Sequence, residues 1–100
     1  MKIITICGSL KFQNEMMKIS EVLELKGNCI LTPIYPTRNS KNDYTKSEIL
    51  MFYKMHKEKI KISDSILVMN VDNYIGSSTQ NEILFAKSLN KEILYYTDLV

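Results

Sequence analysis

Glu82 closes the stretch Gly76-Ser77-Ser78-Thr79-Gln80-Asn81-Glu82, which follows an apolar run, Ser65 to Val71, preceded by Asp64. Such a run reads as a buried parallel strand, and the Gly/Ser loop behind it then opens onto the carboxyl edge of a sheet. Ligands of open α/β sheets bind at that edge, where a carboxylate can serve as nucleophile, general acid or general base. The same four residues, Thr79 to Glu82, also have the form of a T-x-x-E capping box at a helix start. The residues alone leave both roles open.

Asp72 and Asn73 end the strand. An aspartate there suits a general acid or a hydrogen-bonding partner for Glu82, and equally a turn-forming residue. Gly8-Ser9 follows the run Lys2 to Cys7. A glycine lets the backbone approach a ligand, and the helix start behind it offers free N–H groups suited to a phosphate or a sugar hydroxyl. Any tight strand-to-helix turn uses the same pair. Asp64, at the opposite edge, reads as structural. His56 lies at apolar spacing on a helix, where a satisfied core or edge histidine is the default.

These residues need a scaffold that brings distant loops together, and the apolar periodicity supplies one. Lys2 to Cys7 reads as a first strand. Phe12, Met16, Ile19 and Leu23 fall at helical spacing, broadened by Met17 and Val22, with Gly27 as the stop. Cys29 to Leu31 is a second strand. Pro33 to Asp43 reads as a long loop, functional or mobile. Thr45 to Glu48 has the form of a second capping box, ahead of a helix with Ile49, Phe52, Tyr53, His56 and Ile60 on one face, ending near Ile62. A third strand over 65–71 precedes a helix over 79–89 with Ile83, Ala86 and Leu89 inward, and 91–96 is the last strand. This β-α-β-α-β-α-β order predicts one domain over residues 1–100. Its fold class is α/β, Rossmann- or flavodoxin-like, with a mainly parallel sheet of four to five strands and helices on both faces.

Composition narrows the partners. Thirteen basic and 11 acidic residues give a formal net charge of +2, without the basic stripe of a nucleic-acid binder. Lysines 54, 57, 59 and 61 are interrupted by Glu58 and read as a solvated helix face. No apolar run approaches bilayer length. Met1-Lys2-Ile3 enters a strand directly, with no secretory signal, and Cys7 and Cys29 read as reduced thiols of a cytoplasmic protein. Neither the cysteine spacing nor the single histidine suggests a metal site.

Together these pieces resemble the nucleoside 2-deoxyribosyltransferase superfamily, in particular its small members that act as N-glycosidases on 2'-deoxynucleoside 5'-monophosphates. The likeness rests on Ile6-Cys7-Gly8-Ser9-Leu10, on the helix and strand from His56 to Val71, and on Gly76 to Ile83 with Ala86 and Lys91-Glu92-Ile93. The resemblance implies Glu82 as nucleophile at C1' and Asp72 as proton donor to the leaving base. It implies a substrate site formed by Cys7, Gly8, Ser9, Leu10, Asn73, Gly76, Ser78 and Thr79. It also implies a nucleoside or nucleotide substrate, no metal or organic cofactor, and a homodimer or larger assembly. Two other classes stay open: a non-catalytic nucleotide-binding module of the same fold, and an interaction protein whose T-x-x-E boxes are helix caps only.

Overall fold

The computed structural model describes residues 1–100. Four parallel strands form one sheet in the order β2-β1-β3-β4: β1 (Ile3–Cys7), β2 (Cys29–Leu31), β3 (Ser65–Val68) and β4 (Glu92–Tyr95). The crossovers are α1 (Gln13–Leu25), α2 (Lys46–Ile62) and α3 (Ser77–Ser88). Because β1 pairs with both β2 and β3, successive connections leave it in opposite directions. The carboxyl ends of β1 and β3 therefore flank a topological switch point, the crevice where open α/β sheets hold ligands.

The strand alternation divides the core into two layers. Ile4, Ile6, Ile30, Leu67 and Met69 pack against Phe12, Met16 and Ile19 on the α1 side. Cys7, Ile66 and Val68 pack against Ile60 of α2 and Ala86 of α3 on the other. Side chains of successive strand residues point to opposite faces, so Cys7 is directed towards α2 and α3. Asp64 accepts the Ile3 N–H at 2.7 Å, and its own N–H donates to the Ile3 carbonyl. That reciprocal pair locks β3 to β1 and bears out the structural reading of Asp64. No helix is long and apolar enough to cross a membrane.

Several sequence expectations shift. β3 ends at Val68 rather than Val71, while the four strands fall within the expected four to five. The α1 stripe is narrower than expected, since Met17 and Val22 are exposed, and Leu89 is exposed rather than inward. The long loop contains a 3-10 turn, Lys41–Asp43, with its own capping box between Ser40 and Asp43. Gly8 is required by a close approach: a Cβ there would lie 2.7 Å from Met69 Cβ and 3.2 Å from Met16 Cε. Gly8→Ala is expected to cost about 1–3 kcal/mol through overpacking. Urea denaturation measures it, and an unchanged midpoint would show that the strand ends can separate freely.

Candidate active site

The three loops at the carboxyl edge enclose a cleft of about 610 Å³. Gly8 to Lys11 form one wall, Gly76 to Thr79 with Tyr74 another, and the segment from Pro33 to Tyr44 a third. His56 and Glu82 lie on the lining as well.

The third wall is held in place. The Tyr44 hydroxyl accepts from the Thr37 and Arg38 N–H groups at 3.2 and 3.3 Å. Arg38 forms a bidentate pair with Glu48 at 2.9 and 3.1 Å, and its guanidinium stacks over the Tyr44 ring. Glu48 also completes the expected capping box with Thr45. The loop is thus fastened to the start of α2.

The second T-x-x-E sequence behaves differently. α3 begins at Ser77 with Gly76 as its N-cap, and no side chain caps it. Thr79 is therefore in the first turn, buried, and Glu82 lies almost two turns into the helix, beyond capping reach. Of the two roles left open by the sequence, the capping box does not form, because the N-cap lies three residues earlier, at Gly76. Glu82 instead meets His56 of α2 and Cys7 at the end of β1. Its Oε2 is 3.4 Å from His56 Nε2, which is in turn 3.5 Å from Cys7 Sγ.

Burial dominates the electrostatics of this cluster. Removal from water pushes the Glu82 carboxyl up from its ordinary 4.5 to about 7, tempered by the thiol of Cys7. Burial, then the nearby Lys59 charge, pulls His56 down from 6.5 to about 4. The Cys7 thiol is raised well above its ordinary value, by burial and then by Glu82. At neutral pH the imidazole is uncharged. The His56–Glu82 approach is therefore a contact between a neutral ring and the carboxyl rather than an ion pair. Nε2 has the Cys7 sulfur as its hydrogen-bond partner, and the buried Nδ1 is left without one.

The residues expected to contact substrate separate into three groups. Gly8, Ser9, Leu10, Gly76, Ser78, Thr79 and Glu82 all line the cleft. Cys7 is fully buried beneath it and touches His56 rather than the open space. Asp72 and Asn73 are exposed and lie off the lining, in left-handed conformations with φ of 53° and 62°. Asp and Asn tolerate that region best among residues with a Cβ. The structure thus places Asp72 and Asn73 in a turn beside the cleft rather than on its lining. His56 was missed because its spacing matches the apolar face of α2. The signal was its position one turn before Ile60, facing the end of β1.

No protein-family model matches the sequence, and no curated protein matches it. Solved structures do. The 2-deoxyribosyltransferase of the psychrotolerant bacterium Bacillus psychrosaccharolyticus superposes with a TM-score of 0.74 at 17% identity, covering 93% of this chain and 70% of that one. The chain has the 2-deoxyribosyltransferase fold. The Leishmania mexicana 2-deoxyribosyltransferase shares it, with a TM-score of 0.70 at 18% identity over 96% of this chain. The chain spans 64% of the Leishmania protein's length. The 2-deoxyribosyltransferase fold, with its crevice at the sheet's carboxyl edge, agrees with the α/β architecture and the family resemblance read from the sequence.

Proposed function

We propose that the protein cleaves or transfers the N-glycosidic bond of a 2'-deoxynucleoside or its 5'-monophosphate, with Glu82 as nucleophile. The observation that carries the reading is Glu82 itself: a carboxylate on the wall of a switch-point cleft, held by a neutral histidine and free of any capping role. A Glu82 oxygen attacks C1', the C1'–N bond breaks, and its electron pair leaves on the base, which takes up a proton from solvent water. Water or a second base then attacks C1' and releases the carboxylate. His56 packs against the Glu82 carboxylate, 3.4 Å away, and positions it by that contact.

The phosphorylated substrate is supported by charge. Lys11, Arg38, Lys41 and Lys59 line the cleft and Glu82 is the sole acidic residue on it. The first-turn N–H groups of Ser77, Ser78 and Thr79 lack a side-chain cap, leaving donors for a phosphate at a helix N-terminus. The reading includes a homodimer or larger assembly. The exposed Leu50, Met51 and Met55 of α2 and Leu84 of α3 offer apolar surface for it, and sedimentation velocity measures the association.

The test is chromatographic. The protein is incubated with the four 2'-deoxynucleosides and their 5'-monophosphates, with and without an acceptor base. Released or exchanged base is expected, fastest with a monophosphate. Asp72→Asn is expected to turn over at the wild-type rate, because Asp72 lies outside the cleft. A severe loss in that variant would return Asp72 to the role of proton donor. The same placement of Asp72 favours one other reading, a nucleotide-binding module without turnover, since no second carboxylate reaches the cleft. Saturable nucleotide binding with no base released from any substrate would select it.

A further inference from the structure

Cys7, His56 and Glu82 come from three different elements, yet one ligand atom of each lies within 4.8 Å of the other two. We propose that this cluster is a binding site for a borderline divalent cation of the zinc type, with Cys7 Sγ, His56 Nε2 and a Glu82 oxygen as ligands. The proposal goes beyond glycosyl transfer and does not depend on it.

The first argument is geometric. Tetrahedral zinc with bonds of about 2.0 Å to nitrogen and oxygen and about 2.3 Å to sulfur places N and O about 3.3 Å apart, and N and S about 3.5 Å apart. The corresponding separations here are 3.4 Å for His56 Nε2 to Glu82 Oε2 and 3.5 Å for His56 Nε2 to Cys7 Sγ. Two edges of one face of a zinc tetrahedron are thus already in place, and the third, from Cys7 Sγ to the Glu82 oxygen, lies within 4.8 Å.

The second argument is charge balance. A divalent cation binds the Cys7 thiol, the Glu82 carboxylate and the neutral His56 imidazole, and one proton leaves from sulfur. The dication, one thiolate and one carboxylate sum to zero. Burial therefore opposes the loaded cluster less than it opposes an isolated carboxylate. His56 and Glu82 line the cleft while Cys7 is buried beneath it, off the lining, so the fourth coordination position faces the cleft and is filled by water. Mixed sulfur, nitrogen and oxygen donors suit zinc over magnesium or calcium.

The third argument sets the kind of site. Resident metal sites fix each ligating imidazole through its other nitrogen, and His56 Nδ1 has no partner. The cation is accordingly exchangeable. When bound it occupies the Glu82 carboxylate, so a zinc-type ion would act as an off-switch for any chemistry that Glu82 performs.

Cobalt(II) is the probe. Titrated into chelator-stripped protein, Co2+ is expected to bind once per chain, with a near-ultraviolet thiolate-to-cobalt charge-transfer band and intense four-coordinate visible bands that Zn2+ displaces. Cys7→Ser should abolish the charge-transfer band. Glu82→Gln should weaken binding at least about tenfold, and Cys29→Ser should change nothing. Circular dichroism checks each variant's fold. If Cys7→Ser fails to fold, the wild-type band with Cys29→Ser and Glu82→Gln still decides. The absence of a charge-transfer band at one equivalent, or its loss in Cys29→Ser, overturns the proposal.

Discussion

Glu82→Gln is expected to abolish base release and, at the same time, to make the fold more stable. Amide for carboxylate keeps the shape but removes the nucleophile. Loss of a nucleophile from a unit of interacting groups costs at least about a thousandfold in turnover. The stability gain follows from the same burial. The Glu82 carboxyl titrates at its ordinary 4.5 in the unfolded chain and at about 7 in the fold. Below the lower value both states hold the proton and Glu82 makes no difference. Above the upper value both are ionised, and the fold carries a desolvated charge at a cost of up to about 3 kcal/mol. Thermal melts at pH 8 should therefore show the variant melting higher than wild type. At pH 4 the two should coincide. A variant that melts lower at pH 8 would show that Glu82 stabilises the fold, and would remove the sign of a carboxylate held for chemistry.

The second large effect is on pH dependence, measured on metal-free protein in the presence of a chelator. Attack on C1' needs the ionised carboxylate, so kcat/KM is expected to rise tenfold per pH unit up to about 7 and then level off, following Glu82. His56 does not shape that limb, since it is already neutral above about 4. It does shape stability, with the opposite sign. Its pKa is 6.5 unfolded and about 4 folded, so the fold loses stability as pH falls through that interval. Glu82 works the other way: the folded state takes up its proton first as pH falls from about 7 to 4.5. Between about pH 4.5 and 6.5 the two slopes oppose each other. Wild type should melt at a nearly constant temperature across that window, and Glu82→Gln should lose stability on acidification. Parallel curves for the two proteins would show that these groups do not titrate as a facing pair.

The architecture was legible because each strand is a short apolar run bounded by polar or turn residues and each helix carries an apolar stripe. Thr45 to Glu48 was legible too, since its box forms and its glutamate is further fixed by Arg38. Thr79 to Glu82 carries the same letters with a different fate. A helix start two residues earlier, at Ser77, turns a capping residue into a wall of the cleft. Propensity cannot resolve a boundary to two residues, because Ser, Ser and Thr in succession are all acceptable first-turn or capping residues. Cys7, read as a substrate contact, proved to be the floor under the site, because the strand's alternation directs it inward. His56 could not be distinguished from a core residue by spacing. What separates them is the Glu82 carboxylate it faces, 26 residues on in a different helix.

Every pairing in the sheet is parallel, and none is closed by a hairpin. Each strand contact therefore waits for a whole crossover to form. Residues 7, 56 and 82 meet only when β1, α2 and α3 have all docked, so no early fragment of the chain holds the site. During synthesis β3, whose four residues are all buried in the finished protein, emerges before its last neighbour exists. The chemistry thus arrives only once these three elements have docked, and appearance of the depressed His56 titration would report burial of that face of α2.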